Sequence, residues 1–405
     1  SLLSDLPSTS MTDPFYLARE HFLRGIAEFE AGNDSAARDA FLCALKLAPG
    51  RLSVMVNLAA THLRIGDFAA ARDLLQEITR QEPDNREALV QLGICEEALG
   101  NFAAAGSALQ RGLPLGELPD LWLCCSRCLG RSGNLPAALA AVDQTLAMVP
   151  EHTEAWTIRG GLLRELGRHD DAAVAFRRAI ENGADNELNR YYLASVSNGE
   201  QPANSPGTYV AALFDAYAPD FQEHLVGSLR YQGHQKLTES LLHAGRRYPL
   251  AIDLGCGTGL CGEQLQSLVD HIDGVDLSGA MLEQAHARGI YRQLDQAELN
   301  TYLTNRQEQA DLFIAADVFG YLGDLNNCFS AVRRLMRPGG CFAFTVEQLA
   351  GDGDFVLQPC LRYRHSEDYI RRLADKHGFS VRDITIHPLR YDQDQPIPAL
   401  YVYLV

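Results

Sequence analysis

The apolar positions of this chain fall into two regimes. From about residue 15 to 183 they recur at helical spacing, in successive pairs of amphipathic stretches. From residue 250 onward they gather into short runs, separated by polar or glycine-rich turns and by further helical stretches. The first regime predicts an all-α array over 15–198. The second predicts an α/β domain over 208–405. Between them Gly199-Glu200-Gln201-Pro202-Ala203-Asn204-Ser205-Pro206-Gly207 is polar and rich in breakers, which predicts a linker over 199–207.

The helical half has a period. Gly32, Gly66, Gly100, Gly133 and Gly167 lie 34, 34, 33 and 34 residues apart. Five positions past each comes a small residue: Ala37, Ala71, Ala105, Ala138 and Ala172. Pro49, Pro83 and Pro150 close three of the units, and Leu58, Leu92, Gly93, Trp122, Trp156 and Gly160 occupy first-helix positions. This helix-turn-helix unit resembles the tetratricopeptide repeat. Five repeats are expected, the third ending irregularly over Gly112 to Pro119. Asn186 to Val196 is expected to follow as a capping helix, with Asn186 as its N-cap. The resemblance implies a concave groove that holds a peptide or protein; a spacer or clamp is the alternative. Cys124, Cys125 and Cys128 share one helix. A zinc site needs four ligands, and no second Cys/His pair stands nearby in sequence, so buried thiols and no metal are expected.

Composition narrows the classes. The 405 residues carry 35 Lys and Arg against 52 Asp and Glu, a net charge of -17, which argues against a nucleic-acid partner. No apolar run is long enough to span a membrane. The first ten residues lack the features of a signal peptide, so 1–14 is expected to be a disordered lead or a remnant, with Met11 a candidate start. Ten cysteines without a regular framework predict reduced thiols and a cytoplasmic protein.

The chemistry gathers around Asp253-Leu254-Gly255-Cys256-Gly257-Thr258-Gly259. An apolar run precedes it and a helical run from Leu260 to Leu268 follows. Glycines there permit a tight turn and let a ligand press against bare main chain. The lysine and Ser/Thr of a phosphate-binding P-loop are missing, and the third glycine falls two residues early for a dinucleotide fingerprint. A second short run ends at Asp276, where an acid in a doubly wound fold hydrogen-bonds both ribose hydroxyls. NAD would suit that acid as well. The sequel Leu277-Ser278-x-x-Met281-Leu282-x-x-Ala285 decides. Together, D-x-G-x-G-x-G and D-x-S-x-x-M-L-x-x-A resemble the class I S-adenosylmethionine-dependent methyltransferases.

That resemblance implies a Rossmann-like domain with a seven-stranded mixed sheet, S-adenosylmethionine as cofactor and S-adenosylhomocysteine as product. It implies that Asp253, Leu254, Gly255, Cys256, Gly257 and Gly259 cradle the cofactor, that Asp276 and Leu277 hold its ribose, and that Met281 lies over the adenine or belongs to the helix core. One of Gln296, Ala297 and Glu298 meets the adenine edge. Asp317, Val318, Phe319 and Tyr321 follow the nearly all-apolar strand from Ala310 and are expected to face the methyl group. Phe214-Asp215-x-Tyr217-Ala218 with His224-Leu225 resembles the cap of a bacterial group. Tyr209 and Tyr217 are its lid contacts, or aromatic anchors of two helices over 209–214 and 227–242. Arg362-Tyr363-Arg364-His365-Ser366 is the cluster of donors and imidazole near the strand ends. His365, Tyr363 and Tyr321 are the candidate catalytic residues, with His365 as general base; His365 could also orient an anionic acceptor with Arg362 or Arg364, or pin the loop. Phe379 to His387 and Leu400 to Val405 are expected to close the sheet as a hairpin, with Asp392 to Pro398 as a loop.

Three readings follow. The chain is a methyltransferase whose repeats recruit a peptide, protein or carrier-bound acceptor, a small-molecule O- or N-methyltransferase whose repeats serve assembly, or a cofactor-binding scaffold without transfer.

Overall fold

The structure is a computed structural model that describes residues 13–221, 227 and 229–405. Residues 1–12 of the expected lead, and His224-Leu225, lie outside the described residues. The chain divides into two compact units, 1–185 and 186–405.

Among the described residues the first unit holds ten helices, paired in sequence. They are α1 (Pro14–Glu30) with α2 (Asp34–Leu47), α3 (Leu52–Ile65) with α4 (Phe68–Gln81), α5 (Arg86–Ala98) with α6 (Phe102–Gly112), α7 (Pro119–Arg131) with α8 (Leu135–Met148), and α9 (Thr153–Glu165) with α10 (His169–Glu181). The recurrent glycines sit in the turns within each pair at φ between 74° and 84°. The five period-marking alanines are fully buried. Close helix approach also uses glycines in the first helices: a Cβ on Gly160 would lie 2.5 Å from the Phe176 ring. Gly25 stands in the same relation to Phe41. A side chain there would force the pair apart.

The second unit starts with α11 (Glu187–Val196), which the repeat pattern assigned to the first unit. The Asn186 side chain does cap it, accepting from the Asn189 amide. Its inner face explains the change. Tyr191 is fully buried, and its hydroxyl lies 2.8 Å from Ser205 Oγ and donates to the Leu361 carbonyl at 2.7 Å. Tyr191 and Ala194 pack with Leu357, Leu361 and Tyr363. The stretch 199–207 therefore lies inside the second unit rather than between units.

Next come α12 (Gly207–Tyr217) and α13 (Gly233–Ala244), the latter starting six residues later than expected. The strands are β1 (Tyr248–Leu254), β2 (Val269–Asp276), β3 (Gln293–Gln296), β4 (Ala310–Ala315), β5 (Met336–Glu347), β8 (Val381–Asp392) and β9 (Gln395–Leu404). They form one mixed sheet in the order β3-β2-β1-β4-β5-β9-β8, with β9 antiparallel to β5 and β8. Helices α14 (Leu260–Leu265), α15 (Gly279–Ala287), α16 (Leu299–Asn305), α17 (Asn326–Leu335) and α18 (Glu367–Lys376) connect the strands. The short pair β6 (Phe355–Leu357) and β7 (Tyr363–His365) stands apart from the main sheet. Both faces of the sheet are covered: one core holds Phe313, Phe329, Phe342 and Phe344, the other Leu237, Leu241, Ile272 and Ile314.

The expected loop over 392–398 is strand instead. β8 and β9 run on to a tight turn at Gln393-Asp394, both at positive φ. Before Ala399 the β9 ladder runs with β8 alone, so Pro396 and Pro398 interrupt a two-stranded ribbon and not a central ladder. Strand order reverses between β1 and β4, and ligands of open α/β sheets bind at such a switch point.

Candidate functional site

A cavity of about 580 Å³ opens over the carboxyl ends of β1, β2 and β4, within the second unit. At its base the turn after β1 is held by backbone bonds: the Cys256 amide donates to Val275 O, and the Gly259 amide to Cys256 O. Gly255, Gly257 and Gly259 all have positive φ. A Cβ on Gly255 would meet Val318 Cγ2 at 2.5 Å, whereas one on Gly257 would meet nothing within 4 Å. Gly255 thus serves the turn itself, and Gly257 leaves bare main chain facing open space. Asp276 ends β2 with both carboxylate oxygens already aimed: Oδ2 accepts from the Gly257 amide and Oδ1 from the Ser278 amide, each at 2.9 Å. Their remaining lone pairs are available to a diol. Burial raises the Asp276 carboxyl above its ordinary range, against these main-chain donors. Asp253 is more deeply enclosed. Burial pushes it up to about 7, although Tyr291 donates to its Oδ2 at 2.7 Å.

One wall is an aromatic helix. Tyr209, Phe214 and Tyr217 of α12 and the following Phe221 line the cavity with Val210 and Leu213. The helix is latched to α15 by two motif residues that the motif reading left without a role. Ser278 Oγ donates to Asp215 Oδ1 at 2.6 Å and itself accepts from the Met281 amide, as the N-cap of α15. Gln284 of α15 also donates to the Ala218 carbonyl.

The opposite end is charged. Asp317, just past β4, takes φ 58°, and its amide donates to Thr345 Oγ1. Its carboxylate pairs with Arg362 and lies 3.5 Å from Arg390 Nη1. Glu347 at the end of β5 accepts from Arg362 Nε at 2.5 Å and from Arg390 Nη2 at 2.7 Å. Burial works against the charge of Glu347, but the two guanidiniums overcome it and hold its carboxyl down at about 2. Arg362 also lies over the Tyr321 ring, 4.9 Å from its centre. Burial raises the Tyr321 hydroxyl, which keeps it protonated. Asp317, Tyr321, Arg362 and Arg390 all face the cavity.

A methyltransferase-domain model matches residues 252–342, the span that holds the glycine turn, Asp276 and Asp317. A tetratricopeptide-repeat model matches 56–119 and 129–187. The chain joins tetratricopeptide repeats to a class I methyltransferase domain. Among curated relatives, a malonyl-[acyl-carrier protein] O-methyltransferase of Salmonella typhimurium is 29% identical over 137 residues, 34% of this chain and 53% of that one. A ubiquinone biosynthesis O-methyltransferase of Bordetella avium is 29% identical over 196 residues, 44% of this chain and 77% of that one. The human methyltransferase-like protein 27 is 32% identical over 140 residues, 33% of this chain and 56% of that one. The chain thus spans about half to three quarters of the length of these relatives.

S-adenosylmethionine is the cofactor of such a domain, and the cavity fits it. Gly257 offers a cradle that a Cβ would fill, and Asp276 offers a diol-binding carboxylate beside it. Of the expected cofactor residues, Asp253, Gly255, Cys256, Gly257, Asp276, Leu277, Met281, Ala297, Glu298, Asp317, Val318, Tyr209 and Tyr217 line the cavity. Leu254 does not; it is fully buried in the sheet core. Gly259 lies behind the turn, against Arg288 and Tyr291. Gln296 also stays outside, its side chain donating to the Leu277 carbonyl. The Glu298 carboxylate caps α16 through the Asn300 and Thr301 amides, while Glu298 itself lines the cavity.

Two expected catalytic residues are displaced. His365 is fully buried, with Nε2 2.9 Å from the Gly323 carbonyl and its ring stacked on Tyr369. Burial lowers it to about 4. Tyr363 donates to the Pro202 carbonyl and packs with Tyr191 and Leu361. Both point away from the cavity because their short strand turns inward to anchor the 199–207 stretch. Tyr321 alone of the three lines it. The imidazole that does so is His234, at the start of α13, which the sequence reading overlooked. It is stacked on Tyr231, with Nδ1 buried and without a hydrogen-bond partner among the described residues. Burial lowers its pKa, so it is neutral and able to accept a proton at neutral pH. A lone histidine in a helix, far from any motif, carries no signal in one sequence. Glu347 had one: β1, β2 and β4 also run to an acid at or just past their ends.

Proposed function

We propose that this protein transfers the methyl group of S-adenosylmethionine to an acceptor borne on a protein or carrier, with the repeats recruiting the bearer. The observation that supports this best is the two-ended cavity. One end is a bare-backbone cradle with a diol-binding acid, and the other is a separate charged subsite at Asp317, Tyr321, Arg362 and Arg390. The cofactor supplies an electrophilic methyl on a sulfonium. The chain's own work is placement and exclusion of water. Asp276 and the glycine turn fix one reactant, and the α12 aromatics, latched through Asp215 and Ser278, roof it. Arg362 and Arg390 are disposed to orient an anionic acceptor. A carboxylate acceptor needs no base, which suits a site from which His365 is absent. The Salmonella relative, named for a malonyl group on acyl-carrier protein, supports a carrier-borne acceptor. The repeats support a protein bearer.

A second reading rests on His234. A neutral buried imidazole facing the cavity would serve as base for a hydroxyl or amine acceptor, small or carried.

The test uses the methyl-labelled cofactor and matched acceptors: a dicarboxylate half-thioester on acyl-carrier protein, the same thioester on a short pantetheine, and a free phenol. Recruitment by the repeats predicts kcat/KM about 100-fold higher for the protein-borne form. Equal rates for both thioesters would remove the recruiting role. Transfer to the phenol alone, falling as pH drops and lost in His234→Gln, would select the second reading. Cofactor binding without transfer to any acceptor would leave the scaffold.

A further inference from the structure

The first unit contains a group that the methyltransferase reading does not use. Cys124 and Cys128 are both buried and lie one turn apart on α7. Glu97, near the end of α5, is half-exposed. The Sγ atoms of both cysteines and a carboxylate oxygen of Glu97 lie within 4.8 Å of one another. Cys125 is excluded by its own geometry, since its Sγ is turned toward the Gly106 carbonyl of α6 at 3.6 Å. Sequence alone could not assemble this set. Two thiols at i, i+4 are ordinary in a packed helix, and the third donor comes from the preceding repeat.

We infer that Glu97, Cys124 and Cys128 form a site for a thiophilic divalent cation of the zinc class. Three arguments converge. Residues at i, i+4 on one helix face present two donors to a single ion, and a third donor from a neighbouring helix completes a face of a tetrahedron. Donors on a tetrahedral zinc stand about 3.8 Å apart, given bonds of about 2.3 Å to sulfur, so the three atoms need close by only about 1 Å. The donor set also selects the ion: two thiolates favour zinc and other soft metals over magnesium or calcium, which take oxygen. A fourth position would be left to water or to a donor from a bound partner, and Glu97 is the half-exposed member of the three. Three protein ligands and an open position distinguish zinc that meets a ligand from zinc that only staples a fold.

The test is cobalt substitution in the full chain, reduced and freed of metal by a chelator. The expected result is one Co²⁺ per chain, with a thiolate-to-cobalt charge-transfer band in the near ultraviolet and tetrahedral bands in the visible, all bleached by Zn²⁺. Cys124→Ser with Cys128→Ser should abolish the bands, and Cys125→Ser should keep them. Glu97→Gln, which leaves the helix core intact, should weaken Co²⁺ binding about tenfold or more. If the double cysteine variant fails to fold, Glu97→Gln and Cys125→Ser decide. No thiolate band in the wild type, bands that survive the double variant, or unchanged affinity in Glu97→Gln would each overturn the assignment.

Discussion

The two ends of the cavity are built on different plans. The cradle end is made almost wholly of main chain: a glycine turn, amide donors and one acid, contributed by consecutive residues after β1 and β2. The charged end is made of side chains drawn from four places, Asp317, Glu347, Arg362 and Arg390, which neutralise one another in a buried lattice. A backbone cradle suits a ligand that never changes. A lattice of side chains can be revised residue by residue, which suits an acceptor that differs between relatives. The plans also differ in what they stake on each residue. Removing a charge from the lattice leaves its partners buried and unpaired, whereas removing the cradle acid leaves only neutral amide donors behind.

The largest effect expected from that contrast is at Arg362. Arg362→Met would strip the cation from between Asp317 and Glu347 and should cost about 3–5 kcal/mol in the denaturant unfolding of the second unit. Adding Glu347→Gln should return part of it, because the stranded carboxylate is then gone. A loss below about 1 kcal/mol would mean that the lattice is solvated and that the contrast is false. Asp276→Ala comes next, with the opposite profile. Calorimetric titration should show affinity for S-adenosylmethionine and S-adenosylhomocysteine lowered by about 100-fold, from two charge-assisted hydrogen bonds, with little change in unfolding. Retained affinity would detach Asp276 from the cofactor.

Gly257→Ala separates the two plans at one atom. The added methyl meets no protein atom within 4 Å. Stability should fall only by the left-handed backbone penalty, about 1–2 kcal/mol. Affinity for the cofactor should fall about tenfold or more, since the methyl enters the cradle itself. Equal losses in both would show that the turn has collapsed.

How much of this was legible follows the same division. The cradle is local: strand, glycine turn, helix and strand-end acid are encoded by adjacent residues, so one sequence exposes them. The repeats were legible because each unit restates the last at a fixed period. The lattice is not local. Arg390 comes from an outer strand and nothing in sequence ties it to Asp317, while Glu347 shares with Asp317 only its place at a strand end. His365 misled for the same reason. Its neighbours Arg362 and Arg364 made it look catalytic, but β7 turns its ring into the protein, toward Gly323 and Tyr369. The place of α11 depended on the buried Tyr191 hydroxyl, whose partners lie 14 and 170 residues away.

The finest test concerns the proton on Asp253, the acid of the cradle with no cation beside it. Burial raises its pKa to about 7, against the donated Tyr291 hydroxyl, so near pH 6 most of the free protein carries a neutral carboxyl there. The sign follows. The folded pKa lies above the unfolded value near 3.8, so this group's contribution to stability is fully present below that value and is lost as pH rises through 7. A sulfonium cofactor brings positive charge into the same cavity, which favours the carboxylate and lowers that pKa. Binding should therefore release protons between about pH 5.5 and 7, and affinity should rise with pH across that window by less than tenfold per unit. Titration in two buffers of different ionisation enthalpy measures the release directly. Asp253→Asn should abolish the release while keeping the Tyr291 hydrogen bond, so that only the proton is removed from the comparison. Proton uptake by the wild type, or release undiminished in the variant, would place the titrating group elsewhere. The charged lattice, with Glu347 already held near 2, supplies no proton in that window and serves as the internal control.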